Sequence, residues 1–141
     1  MKNLSCVMLV VMVIVGCVTP LSASSLGTLQ GPVAPMFTHI SSIITRLSIS
    51  AWGVADCLGS VTLYSSSNTA ILTMELQRRE GLGWTMVRVW VSSGPGLPGV
   101  YMDNHHWVVR GTYRLRCTAR AYSASGTLLE VTTVLSREVT Y

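Results

Sequence analysis

From Ile43 onward the apolar positions repeat every second residue. Ile43, Thr45, Leu47 and Ile49 alternate with Ile44, Arg46, Ser48 and Ser50, the period at which successive side chains fall on opposite faces of a strand. Trp52-Gly53 ends that run. The next run sets Ala55, Cys57, Gly59, Val61 and Leu63 against Asp56, Ser60, Thr62 and Tyr64, and Ser65-Ser66-Ser67-Asn68 turns the chain. A third sets Leu72, Met74 and Leu76 against Thr73, Glu75, Gln77 and Arg79. Its expected partner is Trp84 to Val91, reached through Glu80-Gly81-Leu82-Gly83, whose glycines accept the positive φ of a hairpin turn.

Ser92 to Gly99 holds three glycines and two prolines and reads as irregular chain crossing between sheets. Short strands are expected at Val100 to Asp103 and Trp107 to Val109, on either side of a turn at Asn104-His105-His106. The clearest half-buried strand follows, with Tyr113, Leu115, Cys117, Ala119 and Ala121 alternating with Arg114, Arg116, Thr118, Arg120 and Tyr122. Ser123-Ala124-Ser125-Gly126 then turns into a last strand carrying Leu129, Val131, Thr133 and Leu135. Apolar spacing at helical intervals nowhere displaces this alternation. The pattern predicts an all-β domain over 37–141, an antiparallel sandwich of about seven strands.

Ahead of that domain the pattern changes. Lys2 precedes an almost uninterrupted apolar run from Leu4 to Val15, and Thr19-Pro20-Leu21-Ser22-Ala23-Ser24-Ser25 is small and helix-breaking. That is the layout of a cleavable secretory signal, here 1–23, followed by a lead-in over 24–36 rich in glycine and proline. The apolar run of about 12 to 15 residues is short for a bilayer span, so no membrane span is expected after processing. The expected location is secreted, in the extracellular space. A rival reading starts from Ile14-Val15-Gly16-Cys17, which is similar to the bacterial lipobox; lipidation at Cys17 would make the chain a lipoprotein at the cell surface.

Composition fits strands. Apolar residues make up 49% of the 141-residue chain and charged residues 11%, too apolar for a disordered polypeptide. The formal charge of +4 falls to +3 when Lys2 leaves with the leader, and the remaining arginines are scattered among strands. A nucleic-acid binder would cluster them on one element, so no nucleic-acid partner is expected. Of four cysteines, Cys6 and Cys17 belong to the leader. The two that remain have one pairing, Cys57–Cys117, expected as a disulfide in an oxidising destination; the alternative is two buried thiols. Closing that loop of about 60 residues would contribute ~4 kcal/mol.

The same residues resemble an immunoglobulin or fibronectin type III sandwich. Cys57 on the second strand and Cys117 on the penultimate one are placed as in the inter-sheet bridge of the immunoglobulin fold. Tyr113-x-Leu115-x-Cys117-x-Ala119, closed by Ser125-Gly126 and a final strand, is similar to the last hairpin of fibronectin type III domains. The resemblance implies a structural tyrosine corner at Tyr113. There are two departures: no Trp lies a dozen residues after Cys57, and Tyr113 precedes its Cys by four residues rather than two. An antibody-type domain is not supported. Leu76-Gln77-Arg78-Arg79 leading to Gly83-Trp84, and Gly111-Thr112-Tyr113-Arg114, are similar to small exported proteins of unknown function from Gram-positive gut bacteria. That likeness spans about 37–141 and implies no activity.

Chemistry-bearing clusters are few. His105-His106 beside Asp103 has metal-ligand residue types, but neighbours on a strand diverge, so no metal site and no cofactor are expected. No nucleophile elbow or sequence-marked carboxylate pair is present, and no catalytic residues are assigned. The outward positions carry more. Glu75, Gln77, Arg79, Arg114, Arg116 and Arg120 are expected to share one sheet as a polar, net-positive candidate interaction face. Trp52, Tyr64 and Tyr122, at outward or loop positions, are candidate aromatic contacts. The expectation is an exported bacterial protein, not an enzyme, acting as an extracellular binding or structural module for a protein or carbohydrate partner. The alternative is a secreted hydrolase or toxin-like effector.

Overall fold

The computed structural model describes residues 36–141. The leader over 1–23, the lead-in as far as residue 35 and Cys17 lie outside the described residues. In chain order the strands are β1 (Ile40–Ile49), β2 (Val54–Leu63), β3 (Thr69–Glu80), β4 (Gly83–Pro95), β5 (Val100–Trp107), β6 (Thr112–Tyr122), β7 (Leu128–Leu135) and the short β8 (Val139–Thr140). Every pairing is antiparallel. One sheet runs β1-β2-β5; the other runs β4-β3-β6-β7, with β8 beside β6.

The period of two decides what is buried. Ala55, Cys57, Val61 and Leu63 of β2 are withdrawn from water together with Ala70, Leu72, Met74 and Leu76 of β3 and Leu115, Cys117, Ala119 and Ala121 of β6. These inward rows form one apolar core between the sheets, the main source of stability in a sandwich. Gly59 belongs to the inward row of β2, and a Cβ there would come within 3.1 Å of both Cys117 Sγ and Met74 Sδ. The missing side chain is what lets the two sulfur atoms sit against β2.

The fourth strand fixes the type of sandwich. In antibody constant domains it joins the sheet of strands one and two; here β4 pairs with β3 instead. The fold is therefore immunoglobulin-like in the fibronectin type III arrangement. Tyr113 is buried, and its hydroxyl donates to the Val109 carbonyl at 2.7 Å. This bond ties the start of β6 to the connection before it, as in a tyrosine corner.

Three expectations are corrected. Asn104-His105-His106 is not a turn but lies within β5, paired with Cys57, Asp56 and Ala55. β2 pairs with β5 at every position from Val100 to Trp107, and that ladder outweighs the turn preference of Asn. Ser92 to Pro95 extend β4 instead of leaving it, because β3 starts at Thr69, opposite Pro95. Pro95 sits at the end of an edge strand, where its missing N–H breaks no ladder bond.

The third correction is the disulfide: Cys57 and Cys117 are buried free thiols. Cys117 Sγ donates to Thr45 Oγ1 at 3.3 Å and rests over Gly59, so its sulfur is engaged with β1 and β2 one pleat away from Cys57. Burial pushes the Cys57 thiol from 9.0 up to about 12, helped by the negative charge of Asp56, by Cys117 and by Asp103. Burial also raises Cys117, against the lowering effect of the Thr45 bond.

Candidate functional site

Register places the outer face of the five-stranded sheet row by row. Arg79 on β3 stands opposite Trp84 on β4. Gln77 lies between Met86 and Arg114, and Glu75 between Val89 and Arg116, which in turn faces Leu135. Thr73 lies between Val91 and Thr118, and Ile71 between Ser93 and Arg120, which faces Val131. Directly opposed residues share a face. Glu75, Gln77, Arg79, Arg114, Arg116 and Arg120 are thus brought onto one surface.

Their side chains are linked. Arg114 Nε donates to Gln77 Oε1 at 2.8 Å, and Gln77 Nε2 donates to Glu75 Oε2 at 3.1 Å. Arg116 Nη1 lies 3.5 Å from the same carboxylate oxygen. Arg120 Nη1 donates to Thr73 Oγ1 at 3.4 Å, and the Thr118 and Thr133 hydroxyls meet at 2.9 Å. At one end the Trp84 ring takes two guanidiniums, Arg114 at 4.1 Å and Arg79 at 5.7 Å from its centroid. Arg79 also reaches Glu138 at 3.4 Å. Four arginines therefore face Glu75 within the surface and Glu138 at its rim, and the balance is positive.

Apolar side chains flank this polar centre on both sides. Met86, Val89 and Val91 of β4 and Val131 and Leu135 of β7 are all exposed. The surface is amphiphilic across the strands, with a basic stripe between two apolar ridges. Partners that present acidic groups next to apolar or planar surface match that layout.

The aromatic candidates are dispersed. Trp52 is 82% exposed at the β1–β2 turn, whereas Tyr64 follows the far end of β2. Tyr122 is half-buried at the end of β6, opposite Thr69 on the arginine face. Trp84 is the residue that sequence reasoning did not connect to the face. The hairpin signal could have found it, because a turn at Gly81-Leu82 sets position 84 opposite the outward position 79.

On the other sheet His105 Nδ1 meets Asp56 Oδ1 at 2.7 Å in an exposed pair. His106 points the opposite way and meets the Trp90 ring edge-on, 6.4 Å between centroids. Among the described residues no three His, Cys, Asp or Glu side chains are grouped to hold a metal. Nor is any helix among them long and apolar enough to cross a membrane.

Comparison with known proteins finds no matching family model and no curated protein of significant similarity.

Proposed function

We propose that the chain is an exported bacterial protein whose sandwich is a non-catalytic binding module, meeting an acidic protein or carbohydrate partner on the outer face of β4-β3-β6-β7. The observation that supports this reading is the arginine stripe with Arg114 stacked on Trp84, held between exposed apolar ridges. Guanidinium groups pair bidentately with carboxylates and sulfates, and a flat Trp–Arg stack suits a sugar ring or an aromatic side chain. A glycan array and a pull-down from host and bacterial surface extracts test the two partner classes. Binding that falls at least about tenfold when Arg114, Arg116 and Arg120 are replaced together by Ser supports the reading; unchanged binding removes the face from it. Export is tested by the mass of the accumulated protein. A chain starting at Ser24 or Ser25 marks free secretion, and a diacylated Cys17 marks a surface-anchored module.

A further inference from the structure

The arginine face ends at β4, and that edge has features of its own. β4 is the longest strand, 13 residues, and it forms the outer edge of its sheet. The facing sheet has three strands against five, and the middle of β4 is left uncovered. Thr85, Met86, Val87, Arg88 and Val89 are exposed in succession, which opens both faces of the strand to water, with apolar side chains among them. Edge strands of this length and apolarity are usually covered, shortened or guarded by several charges, since their free N–H and C=O groups template further pairing. Here the guards are a bulge at Val87, the terminal Pro95 and one charge, Arg88, which makes no ion pair among the described residues.

We propose that β4 pairs antiparallel with β4 of a second copy, joining two sandwiches edge to edge. The local sequence is self-complementary about Val89. A two-fold axis there sets Val89 against itself and Arg88 against Trp90 of the second copy, while Val87, the bulge residue that the β3 ladder skips, comes near Val91 of the second copy. Residues opposed in that way share a face, so the two Val89 side chains cover one another on the outer side. On the other side each Arg88 comes beside the half-buried indole of the second copy's Trp90, which packs on the core and meets His106, a contact made twice by symmetry. The edge groups of β4 between the two bulges enter a ladder. The paired sheets then present two arginine stripes as one continuous surface. The pairing itself does not depend on what that surface binds.

Sedimentation equilibrium on the protein purified in the processed form in which its cells accumulate it tests this directly. A concentration-dependent monomer–dimer equilibrium is expected. Val89→Lys and Val91→Lys, each at an exposed position, are expected to weaken it at least about tenfold while leaving the thermal melt unchanged. Val131→Lys, an equally exposed valine on β7, is expected to leave it intact. Hydrogen exchange should slow at the β4 amides of the wild type with rising concentration, and not in Val89→Lys. A monomer at every concentration up to about 1 mM overturns the proposal, as does a dimer that Val131→Lys dissolves and the β4 variants do not.

Discussion

Two sulfur atoms show how much depends on the immediate surroundings of one residue. Cys57 and Cys117 were both legible as inward-facing, because each sits in a strict alternation, and both are buried. Pairing was the step that alternation does not contain. Whether two inward cysteines on opposite sheets meet depends on the stagger between sheets, and here Gly59 and Thr45 receive the Cys117 sulfur instead. Thiolate is the reactive form, so both thiols should resist alkylation in the native protein at neutral pH. Peptide-resolved labelling without reductant is expected to find them unmodified in buffer and modified in urea; resistance in urea would reveal a bridge. The raised pKa of Cys57 also sets a pH dependence. Its folded value of about 12 lies above the ordinary 9.0, so the native state holds a proton that the unfolded chain releases. Stability is full below about pH 9 and falls as pH rises towards 12, which denaturant melts across that range will show.

Between elements, one side chain links the last long strand to the first. Glu130 of β7 accepts from the amides of His39 at 2.7 Å, Ile40 at 2.9 Å and Thr38 at 3.3 Å, and so fastens the start of β1. Desolvation pushes its carboxyl up, but those amide bonds and the nearby His39 outweigh it, and the net shift is downward. The clamp's stability is present above the ordinary pKa of 4.5 and is lost as pH falls through the lowered folded value. Glu130→Gln should cost about 1 kcal/mol at pH 7, since hydrogen bonds to a charged group are worth more than neutral ones and this group is only partly shielded from water. It should also flatten the acid limb of the stability profile; an unchanged limb in urea melts would exclude the clamp. Nothing in the alternation singled Glu130 out, because its partners are backbone groups about 90 residues away. The strands themselves were legible wherever one face is buried. The errors fell at Asn104 to His106 and Ser92 to Pro95, where residues that favour turns are held in ladders by long partners.

For the molecule as a whole, the arginine face separates folding from binding. Its ion pair at Arg116 and hydroxyl contact at Arg120 are exposed or half-exposed, and such contacts contribute under ~1 kcal/mol. Arg116→Ser and Arg120→Ser are therefore expected to melt within about 4 °C of the wild type. Arg114 both stacks on Trp84 and satisfies the buried Gln77, so Arg114→Ser should be the more destabilising of the three, by about 1 kcal/mol. Calorimetry on the three single variants checks the order. Equal losses would mean that the Trp84 stack and the Gln77 bond contribute nothing beyond surface charge.

The sequence by itself determined the strand faces, because burial on one side of a sheet demands a period of two. It determined the hairpin at Gly81 and the set of outward arginines for the same reason, together with the φ of +60° that Gly81 takes there. Tertiary structure alone decided which strands are neighbours, and with that the placing of β4 beside β3, the Trp84 stack on Arg114, the amides held by Glu130 and the bond from the Cys117 sulfur to Thr45. Each of these depends on contacts between strands far apart in the chain. A local pattern states which way a side chain points, but not what stands opposite it.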